Sequence, residues 1–244
     1  MFPIRDHNPS ARTPYVTWAL IAANLLVFLI TWPVGTNYTY LWYQLALHPD
    51  AVSHGADLTG LLTHMFVHAG FMHIAGNMLF LWVFGDNLED QLGHGRFLAF
   101  YLAGGLAAAF AQIASDPGST APMVGASGAI AGVMGGYLLL FPKARVDVLF
   151  IFLIFFKIIP IPAWVVLGVW FGIQLFNGVS ADLGAGVAYW AHAGGFVAGA
   201  LLVVPLWLRL GGAMFWGQTH GQPPHPATHY ARTTIPVVPR RKRF

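Results

Sequence analysis

Six uncharged apolar runs punctuate this 244-residue chain, at about 14–32, 69–85, 97–114, 122–142, 161–181 and 183–208, with polar and charged residues gathered between them. Each is close to the roughly 20 residues with which a helix crosses the hydrocarbon core of a bilayer, so the pattern predicts six membrane-spanning helices. A shorter run at 148–156, VLFIFLIFF, cannot span alone and stops at Lys157 ahead of Pro160 and Pro162. It is expected to be a membrane-embedded part of the loop before the fifth helix, with a seventh span as the alternative. The loop at 33–68 is rich in Tyr, Trp and His without Lys or Arg, which suits a segment lying in the outer interface and packed on the bundle. The fold class expected is therefore all-α: a polytopic membrane protein, a six-helix bundle with a long interfacial first loop. Three regions follow: a cytoplasmic N-terminal segment at 1–13, the membrane domain at 14–210, and a proline-rich basic tail at 211–244. The tail lacks an apolar period and is expected to be disordered, with its final RRKRF on anionic lipid.

Composition agrees. With 57% hydrophobic and 9% charged residues and a mean hydropathy of +0.62, an ordinary soluble domain is excluded. The N-terminus is polar for over a dozen residues and no small-residue cleavage site follows the first apolar run, so a secretory signal is not expected and that run stays as an anchor. Cysteine is absent, which removes disulfides, thiol nucleophiles and thiolate metal ligands. Any nucleophile is then an oxygen or an amine. With six spans all 12 Lys and Arg fall on one side, so the positive-inside rule puts both termini in the cytoplasm. The net charge of +3 thus reads as membrane orientation, and no nucleic-acid partner is expected, because the basic residues hug helix ends without an RNA or DNA motif.

Polar side chains inside spans are costly and need a reason. Those that stand out are His73, Asn77, Gln112, Ser127, Gln174, Asn177 and His192. The second, fourth and sixth helices run in the same direction, and His73, Ser127 and His192 each fall several residues after the expected helix start, at one depth below the outer surface. Gly128, Gly132 and Gly136 repeat every four residues after Ser127, and Gly195 and Gly199 do so after His192. Such faces let two membrane helices approach closely, which would bring the Ser127 hydroxyl within reach of His192 as its base. Taken alone, a serine in a glycine-rich membrane helix is a packing residue, and a lone intramembrane histidine is a polar contact or proton relay. Gly125-Ala126-Ser127-Gly128-Ala129 also lacks the second glycine of the α/β-hydrolase elbow.

The motifs TH-x3-H-x4-H-x3-N from Thr63 to Asn77, GASG from Gly125 to Gly128 and AHAGGFVAG from Ala191 to Gly199, in that order, resemble the signature set of rhomboid intramembrane serine proteases. FPKAR at 141–145 and the stretch from IPAW to Gln174 resemble bacterial members. The resemblance implies a Ser–His dyad of Ser127 and His192 in a water-filled cavity open to the outer side of a bacterial inner membrane, cutting transmembrane protein substrates in or near their membrane segments. It implies an oxyanion hole formed by the His73 and Asn77 side chains with the Ser127 N–H, structural roles for His68 and Glu89, and no cofactor or metal. Two positions depart from the family: a Trp-Arg pair is missing at Thr59-Gly60, and the aromatic often found one turn after the nucleophile is Ala131.

Two other functions compete. A catalytically silent rhomboid-like protein that binds transmembrane helices would be expected to lose Ser127 or His192, and both are present. A metal site or transporter is suggested by His64, His68, His73 and His192. His64 and His68 share a helix face, but His73 is five residues beyond His68, turned roughly 140° away, and no HExxH motif or acidic ligand accompanies them.

Overall fold

The computed structural model describes residues 2–8, 10–32, 36–152, 155–180 and 187–222. The end of the tail, with RRKRF, lies outside the described residues. The elements are β1 (Phe2–Asp6), α1 (Tyr15–Thr31), α2 (Thr36–Leu45), α3 (Pro49–Ser53) and α4 (Gly60–Thr63), a 3-10 turn (His64–Phe66), then α5 (Phe71–Leu92), α6 (His94–Ser115) and α7 (Ser127–Leu140). They continue with β2 (Arg145–Phe152), β3 (Phe155–Pro162), α8 (Ala163–Ser180), α9 (Tyr189–Arg209) and α10 (Ala213–Thr219). Helices α6, α8 and α9 are long and apolar enough to cross a membrane, and the segment from α4 through α5, bent by 91°, makes a fourth when its two parts count as one. Helices α1 and α7 are apolar but shorter. The chain is a mostly helical, multi-pass membrane protein.

Three expectations are corrected. The run 148–156 is not a seventh helical span: its described residues belong to an antiparallel hairpin in which Arg145 faces Pro162 and Phe150 faces Lys157. β-Branched and aromatic residues favour strands there, and Pro160 and Pro162 are tolerated because β3 is an edge of the sheet, whose order is β1-β2-β3. The N-terminal segment supplies the other edge, with Arg5 opposite Asp147 and Asp6 opposite Val146. So the domain is not purely helical.

The fourth helix begins at Ser127 rather than near Pro122. Residues ahead of it are extended and tied to the first loop, where Leu47 and Met123 exchange both backbone hydrogen bonds (2.9 and 2.8 Å) and Gly125 N–H donates to the His64 carbonyl (2.9 Å). Finally, the region after Gly211 is not all tail. Helix α10 packs back with Phe215 buried, Trp216 Nε1–H donates to the Leu139 carbonyl (2.9 Å), and Lys143 N–H donates to the Gly221 carbonyl.

The core seam runs between α7 and α9. A Cβ added at Gly195 would overlap the Gly128 carbonyl, one at Gly199 the Gly132 backbone, and one at Gly135 the Phe196 carbonyl. Gly136 is turned partly aside, toward Val203, Leu88 and Phe100. Neither backbone can yield without sliding its whole helix, so Gly199→Ala should cost at least about 1–3 kcal/mol by overpacking. Its melting temperature in detergent should fall well below wild type. Gly172→Ala, on a site with open space around it, should leave the melting temperature unchanged.

At the opposite end of α7 a polar node joins the N-terminal strand to the bundle. Tyr137 Oη–H (2.9 Å), Asn87 Nδ2–H (3.0 Å) and Asn8 Nδ2–H (3.2 Å) all donate to Asp6 Oδ2. Burial, reinforced by the neighbouring Asp86 carboxylate, pushes the Asp6 carboxyl up to about 7. Its ordinary value is about 3.9. The folded state therefore keeps this proton to a higher pH than the unfolded chain does, and the stability it contributes is complete below about pH 4 and lost as pH rises through about 7. Melting temperature should fall between pH 5 and pH 8, and Asp6→Asn, which keeps an acceptor oxygen without the charge, should flatten that slope. An unchanged slope in the variant would remove Asp6 as its source.

Candidate active site

Three helix beginnings converge on one cavity. His73 is the third residue of α5, Ser127 the first of α7 and His192 the fourth of α9. Their shared feature is a place in a first turn, where backbone N–H groups have no partner within the helix. Ser127 Oγ and His192 Nε2 lie 2.8 Å apart. His192 Nδ1 lies 2.8 Å from Gln174 Oε1 on α8, and the Trp170 ring, one turn earlier on α8, sits 5.8 Å from the imidazole.

The cavity, about 370 Å³, is lined by Ser127, His192, His73, Asn77, Gly125 and Trp170 among others. Asn77 is buried and its Nδ2 has no hydrogen-bond partner among the described residues. A buried amide without a partner is costly, so a donor left free against a cavity is positioned for something that enters it. Ala69 N–H donates to His73 Nδ1 (3.4 Å), which leaves Nε2 to carry the ring proton. Gly125 has φ of +126°, and a Cβ there would strike the edge of the His73 ring. Glycine is thus required at this position both for its backbone and for the imidazole beside it.

The remaining positions singled out in the sequence fall around this centre. Gly128, Gly195 and Gly199 form the seam that sets the distance from α7 to α9. His68 is buried, its ring 5.1 Å from that of His73 and edge-on to it, while its carbonyl accepts from Trp42 Nε1–H (3.2 Å). Glu89 lies away from the cavity at the far end of α5. Its carboxylate accepts from Val16 N–H (2.9 Å), Thr17 N–H (2.8 Å) and Thr17 Oγ1–H (2.7 Å), satisfying the free first-turn donors of α1. Gln112, on α6, does the same for α9, its Oε1 accepting from Ala191 N–H (3.2 Å). Among the described residues no three His, Asp or Glu side chains group as a metal site would need.

In the sequence Gln174 is visible as an intramembrane polar residue but its partner is not, and Ala131, one turn after Ser127, offers no aromatic ring to brace His192. Trp170 and Gln174, spaced i, i+4, approach the imidazole from α8 instead. The signal is one of two amides, Gln174 and Asn177, on a largely apolar helix.

The description "Rhomboid domain" matches residues 55–209, which includes every cavity residue named above. The chain is 32% identical over 193 residues to the mitochondrial Rhomboid protein 1 of Saccharomyces cerevisiae, covering 76% of this chain and 51% of that protein. It is 34% identical over 126 residues to the Rhomboid protease GluP of Bacillus subtilis, covering 51% of this chain and 24% of GluP. It is 30% identical over 134 residues to the human mitochondrial Presenilin-associated rhomboid-like protein, covering 54% and 34%. The aligned regions thus reach at most about half the length of these relatives. A domain match across more than half of the sequence, carrying all three motifs in order, makes this chain a member of the rhomboid family.

Proposed function

We propose that the protein is an intramembrane serine endopeptidase that hydrolyses peptide bonds in or near the membrane segments of transmembrane proteins. The observation that carries the reading is the 2.8 Å contact between Ser127 Oγ and His192 Nε2, opening on a cavity that also presents the unpartnered Asn77 amide. In this mechanism Ser127 Oγ attacks the scissile carbonyl as its proton passes to His192 Nε2. The oxyanion is met by Asn77 Nδ2–H, the His73 ring N–H and the Ser127 backbone N–H, which is free at the first position of α7. Collapse of the tetrahedral species breaks the C–N bond, and the leaving amine takes the proton from His192. Water then attacks the acyl ester with His192 again as base, releasing the new carboxyl and restoring Ser127.

The six-span arrangement uses α1, α5, α6, α7, α8 and α9, with both termini cytoplasmic and the site open to the outer side, in a bacterial inner membrane. Helix α7 has 14 residues, which at 1.5 Å each gives about 21 Å against a hydrocarbon core of about 30 Å. A helix this much shorter than the hydrocarbon core supports a wet site at its Ser127 end. An impermeant thiol label should reach a cysteine placed at Ser119 from outside intact cells, and one at Lys143 only after permeabilisation; the reverse would invert the orientation.

Reconstitution into liposomes with a labelled single-span substrate tests the function. The protease reading expects two product fragments, with cleavage mapped in or near the span. Recovery of intact substrate bound to the protein would support the silent, helix-binding reading instead.

A further inference from the structure

Helix α8 buries Ala163, Leu167 and Gln174 along one face and exposes Trp164, Val169, Ile173, Phe176 and Val179 on the others. Gln174 therefore occupies a position where the pattern calls for a hydrocarbon side chain. An amide buried in an apolar helix is costly unless it finds a partner. The partner of its Oε1 is Nδ1 of His192, at 2.8 Å.

We propose that Gln174 is a positioning residue for the general base, fixing His192 in the tautomer with the proton on Nδ1 and the lone pair on Nε2. A neutral imidazole carries one ring proton, and only the Nδ1–H form can accept the hydroxyl proton of Ser127 through Nε2. An amide oxygen against Nδ1 selects that form, because the other would set two lone pairs against each other. When Nε2 takes the Ser127 proton, the Nδ1–H bond to Gln174 persists and the amide dipole faces the new imidazolium. Gln174 itself neither gains nor loses a proton. A neutral acceptor provides this orientation without burying a second charge in the membrane domain. Trp170, packed at 5.8 Å from the imidazole and 6.1 Å from Phe196, limits rotation of the ring from the same helix. With Ala131 small and fully buried, the orientation of His192 comes from α8 rather than from the nucleophile's own helix.

The effect on catalysis rests on the serine-protease reading; the tautomer does not. The test combines ¹⁵N NMR of histidine-labelled protein in detergent with kinetics, for wild type, Gln174→Leu and Gln174→Glu, and with fluorophosphonate titration to count folded sites. The spectrum of wild-type His192 is expected to show the Nδ1–H tautomer and that of Gln174→Leu to lose the preference. Per titrated site, Gln174→Leu should lower kcat by about 10- to 100-fold with KM near wild type, and Gln174→Glu, which keeps an acceptor, should recover most of it. Gln174→Met supplies a second acceptor-free side chain should the leucine variant fold poorly. The proposal is overturned if wild-type His192 holds its proton on Nε2, or if acceptor-free variants melt earlier yet turn over at the wild-type rate per site, which is the behaviour of an interhelical contact. A wild type that neither cleaves nor reacts with the fluorophosphonate would sink the protease reading, and the tautomer spectra would still decide this one.

Discussion

Ser127→Ala and His192→Ala are each expected to lower cleavage of a transmembrane substrate by roughly 10⁴-fold or more in kcat, to below detection on a gel. In the proposed mechanism the two side chains form one proton path. Without Oγ there is no nucleophile, and without Nε2 at 2.8 Å the serine hydroxyl has no base in place to take its proton. Because members of such a unit fail together, the double variant should be little worse than either single one. Neither replacement should unfold the protein: both remove polar atoms facing a cavity and leave the glycine seam between α7 and α9 intact. Melting temperatures near wild type, with activity gone from both, is the expected pair of results. Multiplying losses in the double variant would show that the two residues act separately.

The second large effect is expected at the oxyanion donors. Asn77→Ala removes an amide whose Nδ2 has no partner among the described residues, so its loss should not destabilise the fold; relieving a buried unpaired donor is neutral or mildly favourable. A donor aimed at charge that develops only in the transition state is worth about 10²–10³-fold in kcat. Asn77→Ala and His73→Ala should therefore lose kcat far more than they raise KM, while still reacting with a fluorophosphonate above the Ser127→Ala blank. If Asn77 only ties α5 to its neighbours, the variant should instead melt earlier and keep wild-type kcat per folded molecule.

Much of this arrangement is legible in the sequence, and the exceptions have physical causes. The glycines at 128, 132, 195 and 199 announce a close helix pair because no other residue lets two backbones meet as Gly199 meets Gly132. Ser127 and His192 stand out because a hydroxyl or imidazole inside a span is costly, and the structure brings the two within 2.8 Å. The hairpin at 145–162 is hidden because a short apolar run has no period that separates strand from buried helix, and its other partner, Phe2–Asp6, lies some 140 residues away in the chain. The late start of α7 is hidden for a related reason. Residues 122–126 are apolar enough to continue a helix, and what stops them is the Leu47–Met123 pairing and the positive φ of Gly125. Gln174 is visible as an anomaly but not as a contact, since its partner His192 belongs to a different helix.

The most direct measurement is the mass of the purified protein after incubation with a biotinylated fluorophosphonate, followed by mapping of the modified peptide. A single adduct on Ser127, formed in step with loss of substrate cleavage and absent from His192→Ala, is the predicted result. No adduct, or an adduct on another residue while cleavage continues at its original rate, would contradict a nucleophilic Ser127 and with it the proteolytic account.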